Sequence, residues 1–350
     1  MYSYYADLLA NGNENELHEK LLAKLSEGDS FIIPFLEYIL YCEMADKHYK
    51  LSLWFINHPD LFPESQELLD ECLKLSIRIW RTDASVKFLE AGADPNKELI
   101  EERNILDVCE NRADHFYSLE KTDLDELVRL LRKKGALSFL EQKYKSKISQ
   151  GDIFETVCTY DSWAKIALAD ISEMDKGDQE VWCAVVEHCH SKSKSPSFSW
   201  KKKLDKFVDI IGAGRFESTI IKWLLSSIKP RKTLIYGDLE SSPYYLASDS
   251  IKESFDLWKL SDSSSFILKG FAWSLAHVNP YSAAKILPEV IQSMYQPHYL
   301  LGSRDMKLAG AIFEVFLSCP EGKERAEEII VQTEYKPAIK KMKAILSKCA

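Results

Sequence analysis

The sequence predicts an all-α fold, an α-solenoid of stacked helical hairpins, on three grounds: punctuation, spacing and apolar content. The 13 glycines and 12 prolines among 350 residues separate long stretches rich in Leu, Lys, Glu, Ala and Ile, residues that lose little side-chain freedom in a helix. Within those stretches the apolar residues recur three and four positions apart, the period of one helix face. Hydrophobic residues make up 46% of the chain, with aromatics along its whole length, so almost every segment can offset its folding entropy by burial. A chain of 40.2 kDa suits two or three packed units, or one elongated array in which each hairpin covers its neighbour.

In chain order, the first 83 residues read as N-terminal helical hairpins. Leu17, Leu21, Leu22 and Leu25 mark one helix, and further apolar segments run over 31–41, 51–56 and 68–79. Turn chemistry at residues 11–13, 27–30 and 57–60 supplies the breaks, giving four or five helices. Residues 84–140 form a second segment and residues 141–350 a third. In the third, helical spacing passes through Phe154, Val157, Trp163, Ile166 and Leu168, then Val181, Trp182, Val185 and Val186. A Ser/Lys-rich loop over 191–199 leads into two helices joined at Gly212-Ala213-Gly214. An irregular stretch over 230–243 follows, and then hairpins over 267–295 and 306–332.

Two segments carry a family resemblance. Val86-Lys87-Phe88-Leu89-Glu90-Ala91-Gly92-Ala93-Asp94-Pro95-Asn96 resembles the end of one ankyrin repeat and the hairpin opening the next: a glycine able to take the left-handed helix-ending conformation, then a tight Asp-Pro-Asn turn. Asn104-Ile105-Leu106-Asp107-Val108-Cys109 stands where the family begins its first helix, and Leu127 to Ala136 resembles the second helix with its closing Gly-Ala. Gly92 and Gly135 lie 43 residues apart against about 33 for the repeat, the excess being an insertion near residues 111–123. Glu102 replaces the usual hairpin glycine, Asn104 the usual threonine, and Val86 is one residue closer to Gly92 than the pattern has it; these departures predict a distorted hairpin finger. The resemblance covers about 84–137, roughly one and a half repeats, which must lean on helical neighbours. From about residue 199 onward, the Leu268-Lys269-Gly270-Phe271-Ala272-Trp273 and Leu308-Ala309-Gly310-Ala311-Ile312-Phe313 segments, about 40 residues apart, resemble HEAT-type helical segments of large bacterial proteins. That resemblance implies a scaffold and brings no active-site residues.

Charge narrows the function classes. The net charge of −9 disfavours general attraction to nucleic acid or anionic membrane. The stretch from residue 191 to 232 nonetheless holds 11 Lys and Arg against the acids Asp205, Asp209 and Glu217. Within it Lys201, Lys202, Lys203, Lys206, Arg215 and Lys222, with Trp200 and Trp223, are the candidate binding residues. Such a basic, aromatic-bearing stretch over 192–232 fits an acidic protein partner or a nucleic-acid backbone. The opening residues lack the pattern of a signal peptide, and no apolar run reaches the roughly 20 residues of a membrane span, so the expectation is a cytoplasmic protein. Its eight scattered cysteines read as free thiols.

Catalytic and cofactor motifs are weak. Phe207 to Glu217 passes at a glance for a dinucleotide loop, yet Glu217 occupies the place of the third glycine and no ribose-binding acid follows about 20 residues on; a glycine-ended helix accounts for it. Cys183, Glu187, His188, Cys189 and His190 are the densest set of metal-ligating types, with Cys183, Glu187 and His190 on one helix face, but they lack structural zinc spacing. A helix end with a buried cysteine and solvent-facing histidines is the preferred reading. No catalytic residue, metal or cofactor is therefore expected. The sequence reads as a non-enzymatic protein-interaction scaffold or regulator, of the kind that serves bacterial toxin immunity or regulation; the alternative is a helical-repeat protein that binds or processes nucleic acid through the basic stretch.

Overall fold

The computed structural model describes residues 2–25, 35, 47–58, 61, 66–78, 81–100, 103–115, 120–149, 152–159, 161–191, 196–229, 260–298 and 302–349. The expected turn at 27–30, the irregular stretch at 230–243, and all of the 31–41 helix except Phe35 lie outside them, as do Lys192, Lys194, Arg231 and Lys232. The described residues are overwhelmingly helical, with two short two-stranded sheets. The chain divides into two compact units, Met1–Phe139 and Leu140–Ala350. Residues 1–139 carry 27 Asp and Glu against 16 Lys and Arg, a net −11; residues 140–350 carry 27 against 29, a net +2.

The first unit contains α1 (Tyr2–Ala10), α2 (Glu14–Leu25), α3 (Lys47–Ile56), α4 (Gln66–Arg78), α5 (Thr82–Glu90), β1 (Glu98–Ile100), β2 (Arg103–Asn104), α6 (Ile105–His115) and α7 (Glu120–Lys133). One continuous core threads it, from Tyr5 and Leu17 through Phe55, Leu73 and Phe88 to Leu106 and Leu131. Each helix contributes the stripe its apolar spacing predicts. Gly92 and Gly135 close α5 and α7 at φ of 103° and 82°, a left-handed backbone that side chains with a Cβ resist. The β1–β2 hairpin is antiparallel with a register irregularity between Glu98 and Ile100.

Short polar side chains then fasten turn to turn. Asp70 Oδ1 accepts from the Asp94 N–H at 2.8 Å and from Gln66 Nε2 at 2.7 Å. Asn96 Oδ1 accepts from Leu137 N at 2.7 Å while its Nδ2 donates to Gly135 O at 3.2 Å. Buried Asp107 accepts from Asn104 N at 2.9 Å and Phe139 N at 2.6 Å. These bonds satisfy backbone groups in the turns, the buried Asn104 N–H among them.

The second unit follows α8 (Phe139–Tyr144) with α9 (Ile153–Thr156), α10 (Ser162–Ser172), α11 (Lys176–His190), α12 (Phe198–Ile211), α13 (Ala213–Ser226), α14 (Asp262–Val278), α15 (Pro280–Tyr295), the β3–β4 pair (Pro297–His298 with Gly302–Ser303), α16 (Met306–Leu317), α17 (Gly322–Gln332) and α18 (Lys336–Cys349). Here α11, α14, α16 and α18 pack side by side as one row, and α10, α13, α15 and α17 as a second. Side chains of Asp175, Ser197, Ser261, Asn279 and Asp305 cap the N-termini of α11, α12, α14, α15 and α16, each accepting a backbone N–H that the first turn leaves free. Trp163, Trp182 and Trp223 are fully buried between the rows. Gly270 lets α14 lie against α11 so closely that a Cβ there would stand 2.5 Å from the Cys189 carbonyl oxygen.

Candidate interaction surface

The expected binding residues fall on α12 and α13, and the fold sorts them into two groups. On α12, Trp200, Leu204 and Ile211 turn inward. Trp200 is held by α11: its ring stacks on His188 with centroids 4.6 Å apart, its Nε1 donates to His188 O at 3.3 Å, and His188 Nε2 lies 3.1 Å from Trp200 O. A carbonyl only accepts, so Nε2 carries the hydrogen in this bond. Burial holds the His188 pKa below its ordinary value, and Lys203 adds to the effect. His188 is therefore buried, where the sequence suggested a solvent-facing histidine. The reason is a partner 12 residues away, whose indole offers both a stacking face and a donor.

On α13, Trp223 is also buried. It lies edge-on to Trp182 at 5.0 Å and donates Nε1 to Asp170 at 2.9 Å, which removes its face from any base or ligand. Lys222 pairs with the same Asp170 at 2.6 Å and Arg215 with Asp178 at 2.5 Å. These two cations fasten α13 to the α10–α11 corner.

Lys201, Lys202, Lys203 and Lys206 are exposed on the outer side of α12. Among the described residues none of the four has an ion-pair partner; Lys203 Nζ lies 5.8 Å from the Phe207 ring centroid. The neighbouring acids face elsewhere: Asp205 meets His277 Nε2 at 2.7 Å, and Glu217 accepts from Asn279 and Ser282. Asp209 alone of the three stays on the outer side. Phe198 is 84% and Ile210 65% exposed, which sequence spacing did not single out. With Lys202 and Lys206 they form an i, i+4 row: an apolar residue at each end, two cations between, about 18 Å from end to end.

A second polar cluster was not foreseen. Asp161 is buried and accepts Ser261 Oγ at 2.7 Å, and Trp163 Nε1 donates to Ser264 Oγ at 2.7 Å. Buried Arg304 donates to Ser227 O at 2.5 Å and Ile228 O at 2.8 Å. Burial raises the Asp161 pKa and lowers that of Arg304 to about 10. Asp161 and Ser261 lie 100 residues apart in the chain, so nothing in local sequence joins them. Enclosed as it is, this cluster joins the ends of α13, α14 and α16 and offers no face to a ligand.

Of the potential metal ligands on α11, Cys183 and Cys189 are buried, and burial pushes their thiols up to about 12. Among the described residues no three His, Cys, Asp or Glu side chains are placed to hold a metal ion, and no helix is long and apolar enough to cross a membrane. The chain matches no family profile, no curated protein and no solved structure.

Proposed function

We propose that the protein is a non-enzymatic helical-repeat scaffold or regulator that binds a protein partner through the outer face of α12, and that it is an α-solenoid with helical hairpins over residues 1–83, an ankyrin-like segment over 84–140 and a HEAT-like region over 141–350. One observation carries the reading: an ordered helix, pinned from behind by the His188–Trp200 stack, turns Phe198, Lys202, Lys206 and Ile210 outward together. Exposed apolar anchors flanking charges are the composition of a protein contact, in which burial supplies affinity and charge supplies register and approach. The matched Gly92 and Gly135 turns, and the hairpin between them, favour the ankyrin-like assignment; the two rows of helices in residues 140–350 favour the HEAT-like one.

A nucleic-acid role is the second reading, favoured by the four unpaired lysines. It is weakened by the tryptophans, since stacking a base needs an open aromatic face and Trp200 and Trp223 are both buried. Changing Lys201, Lys202 and Lys203 to Glu separates the two. Oligonucleotide binding of the unaltered protein is expected at background, and unchanged in the variant. Salt-sensitive binding that the triple change abolishes reverses the ranking.

A further inference from the structure

We infer that two histidines make the α12 face sensitive to pH: acid loosens the half of α12 that carries Phe198, Lys201, Lys202 and Lys203 and keeps the half from Asp205 onward fastened. The inference rests on reading α12 as a protein-binding face and gives the condition under which that face is presented. Among the described residues, the polar side-chain bonds between α12 and other helices run to His188 of α11 and His277 of α14. Histidine is the side chain whose charge changes under mild acid, and an added proton acts in opposite directions at these two.

At His188 the proton weakens the hold. The ring is 7% exposed, stacked on Trp200 at 4.6 Å and edge-on to Phe207 at 5.7 Å, and its Nε2 hydrogen is already given to Trp200 O at 3.1 Å. A further proton goes to Nδ1, which no acceptor among the described residues reaches, so it makes a buried charge without a partner. Lys203 is the charged side chain that acts on the ring; on α11 itself Glu187 is exposed, and His190 meets Phe266 of α14 edge-on at 6.1 Å. The indole face and the end of α11 both attract a cation. Burial first and Lys203 second act the other way and prevail, holding the pKa below 6.5. The neutral ring therefore contributes its full hold on Trp200 above 6.5, and that hold is lost as pH falls from 6.5 toward the lowered folded value.

At His277 the proton strengthens the hold. Its Nε2 lies 2.7 Å from Asp205 Oδ1, and a protonated ring turns that hydrogen bond into an ion pair. Glu217 of α13 is bonded to Asn279 and Ser282 and does not compete for the ring. With His277 29% and Asp205 56% exposed, the gain is modest. The second half of α12, also anchored by buried Ile211, thus keeps its place while the Trp200 end loses its own.

Two measurements on the full chain test the inference without a partner. Amide exchange resolved by residue from about pH 8 to about pH 5, corrected for the intrinsic rate, is expected to show protection over residues 198–204 of α12 falling by up to about ten-fold per pH unit, the limit for one proton, with residues 205–211 unchanged. The carbon-bound imidazole protons, followed by NMR, are expected to place the His188 transition below 6.5, in step with that loss. H188Q, which keeps a donor for Trp200 O and does not titrate, is expected to remove the pH dependence over 198–204, and H277Q to extend the loss to 205–211. Protection over 198–204 that is flat with pH, a His188 transition at or above 6.5, acid loss that persists in H188Q, loss shared equally by both halves of the unaltered helix, or an H277Q that behaves as the unaltered protein overturns the inference. The NMR titration needs no variant, so it decides the matter even where H188Q does not fold. None of those results touches the protein-binding reading, which falls instead if the oligonucleotide test is positive.

Discussion

Asp70 and Asp161 are both buried carboxylates, one in each unit, and their surroundings drive them in opposite directions. Burial by itself would raise the pKa of Asp70, but the Asp94 N–H, the Gln66 amide and Lys97, whose Nζ lies at 3.2 Å, outweigh it and hold the group below its ordinary value of 3.8. At Asp161 burial prevails: serine donors and the more distant Arg304 reduce the shift without reversing it, and the pKa stays raised. Depth of burial does not decide how an acid titrates. What decides is whether a cation and enough donors reach it once it is dry. Both units bond polar side chains to turns, Asn96 and Asp107 in the first and Arg304 in the second; they differ in whether a cation bonds the buried acid directly.

The largest expected effect is in the second unit. Trp163→Ala removes a fully buried indole that packs edge-on against Phe271 and bonds Ser264, and should cost about 3–5 kcal/mol. Hydrogen exchange followed peptide by peptide is expected to place the loss in residues 140–350; equal loss of protection in both units would break the comparison. Asp107→Ala is the counterpart in the first unit. It orphans the buried N–H of Asn104 and the half-buried N–H of Phe139, at about 2 kcal/mol, and the same measurement should place that loss in residues 1–139. A change below about 0.5 kcal/mol would mean that water takes over the two bonds.

A smaller effect sharpens the comparison through pH. For Asp70 the folded value lies below the unfolded one, so its contribution is present above about 3.8 and is lost as pH falls through the lowered folded value. For Asp161 the folded value lies above the unfolded one, so stability is greatest below about 3.8 and declines as pH rises toward the raised value. Urea unfolding from pH 3 to 7 should show Asp70→Asn flattening the acid-side loss of the first unit, and Asp161→Asn removing the decline of the second. Slopes of the same sign in both units, each unchanged by its variant, would show that neither aspartate governs acid stability.

Helix was legible because it is local. The glycine joint at Gly212 and the apolar stripes of α14 to α16 can be read within a few residues of themselves. At the candidate surface the lysines were legible as a charge run, yet their division was not. Arg215 and Lys222 are tied to Asp178 and Asp170, 37 and 52 residues away, whereas Lys202 and Lys206 are left open. Trp200 and Trp223 look alike in the sequence as aromatics within a basic stretch. Only packing against α10 and α11 places both inside and leaves Phe198 and Ile210 outside.

Sequence alone determined the helical class, the turn at Gly92, and the charge contrast between the basic stretch over 191–232 and the rest of the chain, because periodicity, backbone permissiveness and net charge are properties of short stretches or of plain sums. Tertiary structure decided which charges are compensated, which aromatics are core, and which two aspartates are buried with opposite titration. Those outcomes depend on the few ångströms between residues tens of positions apart, where Coulomb energy, desolvation and hydrogen bonding change most steeply with distance.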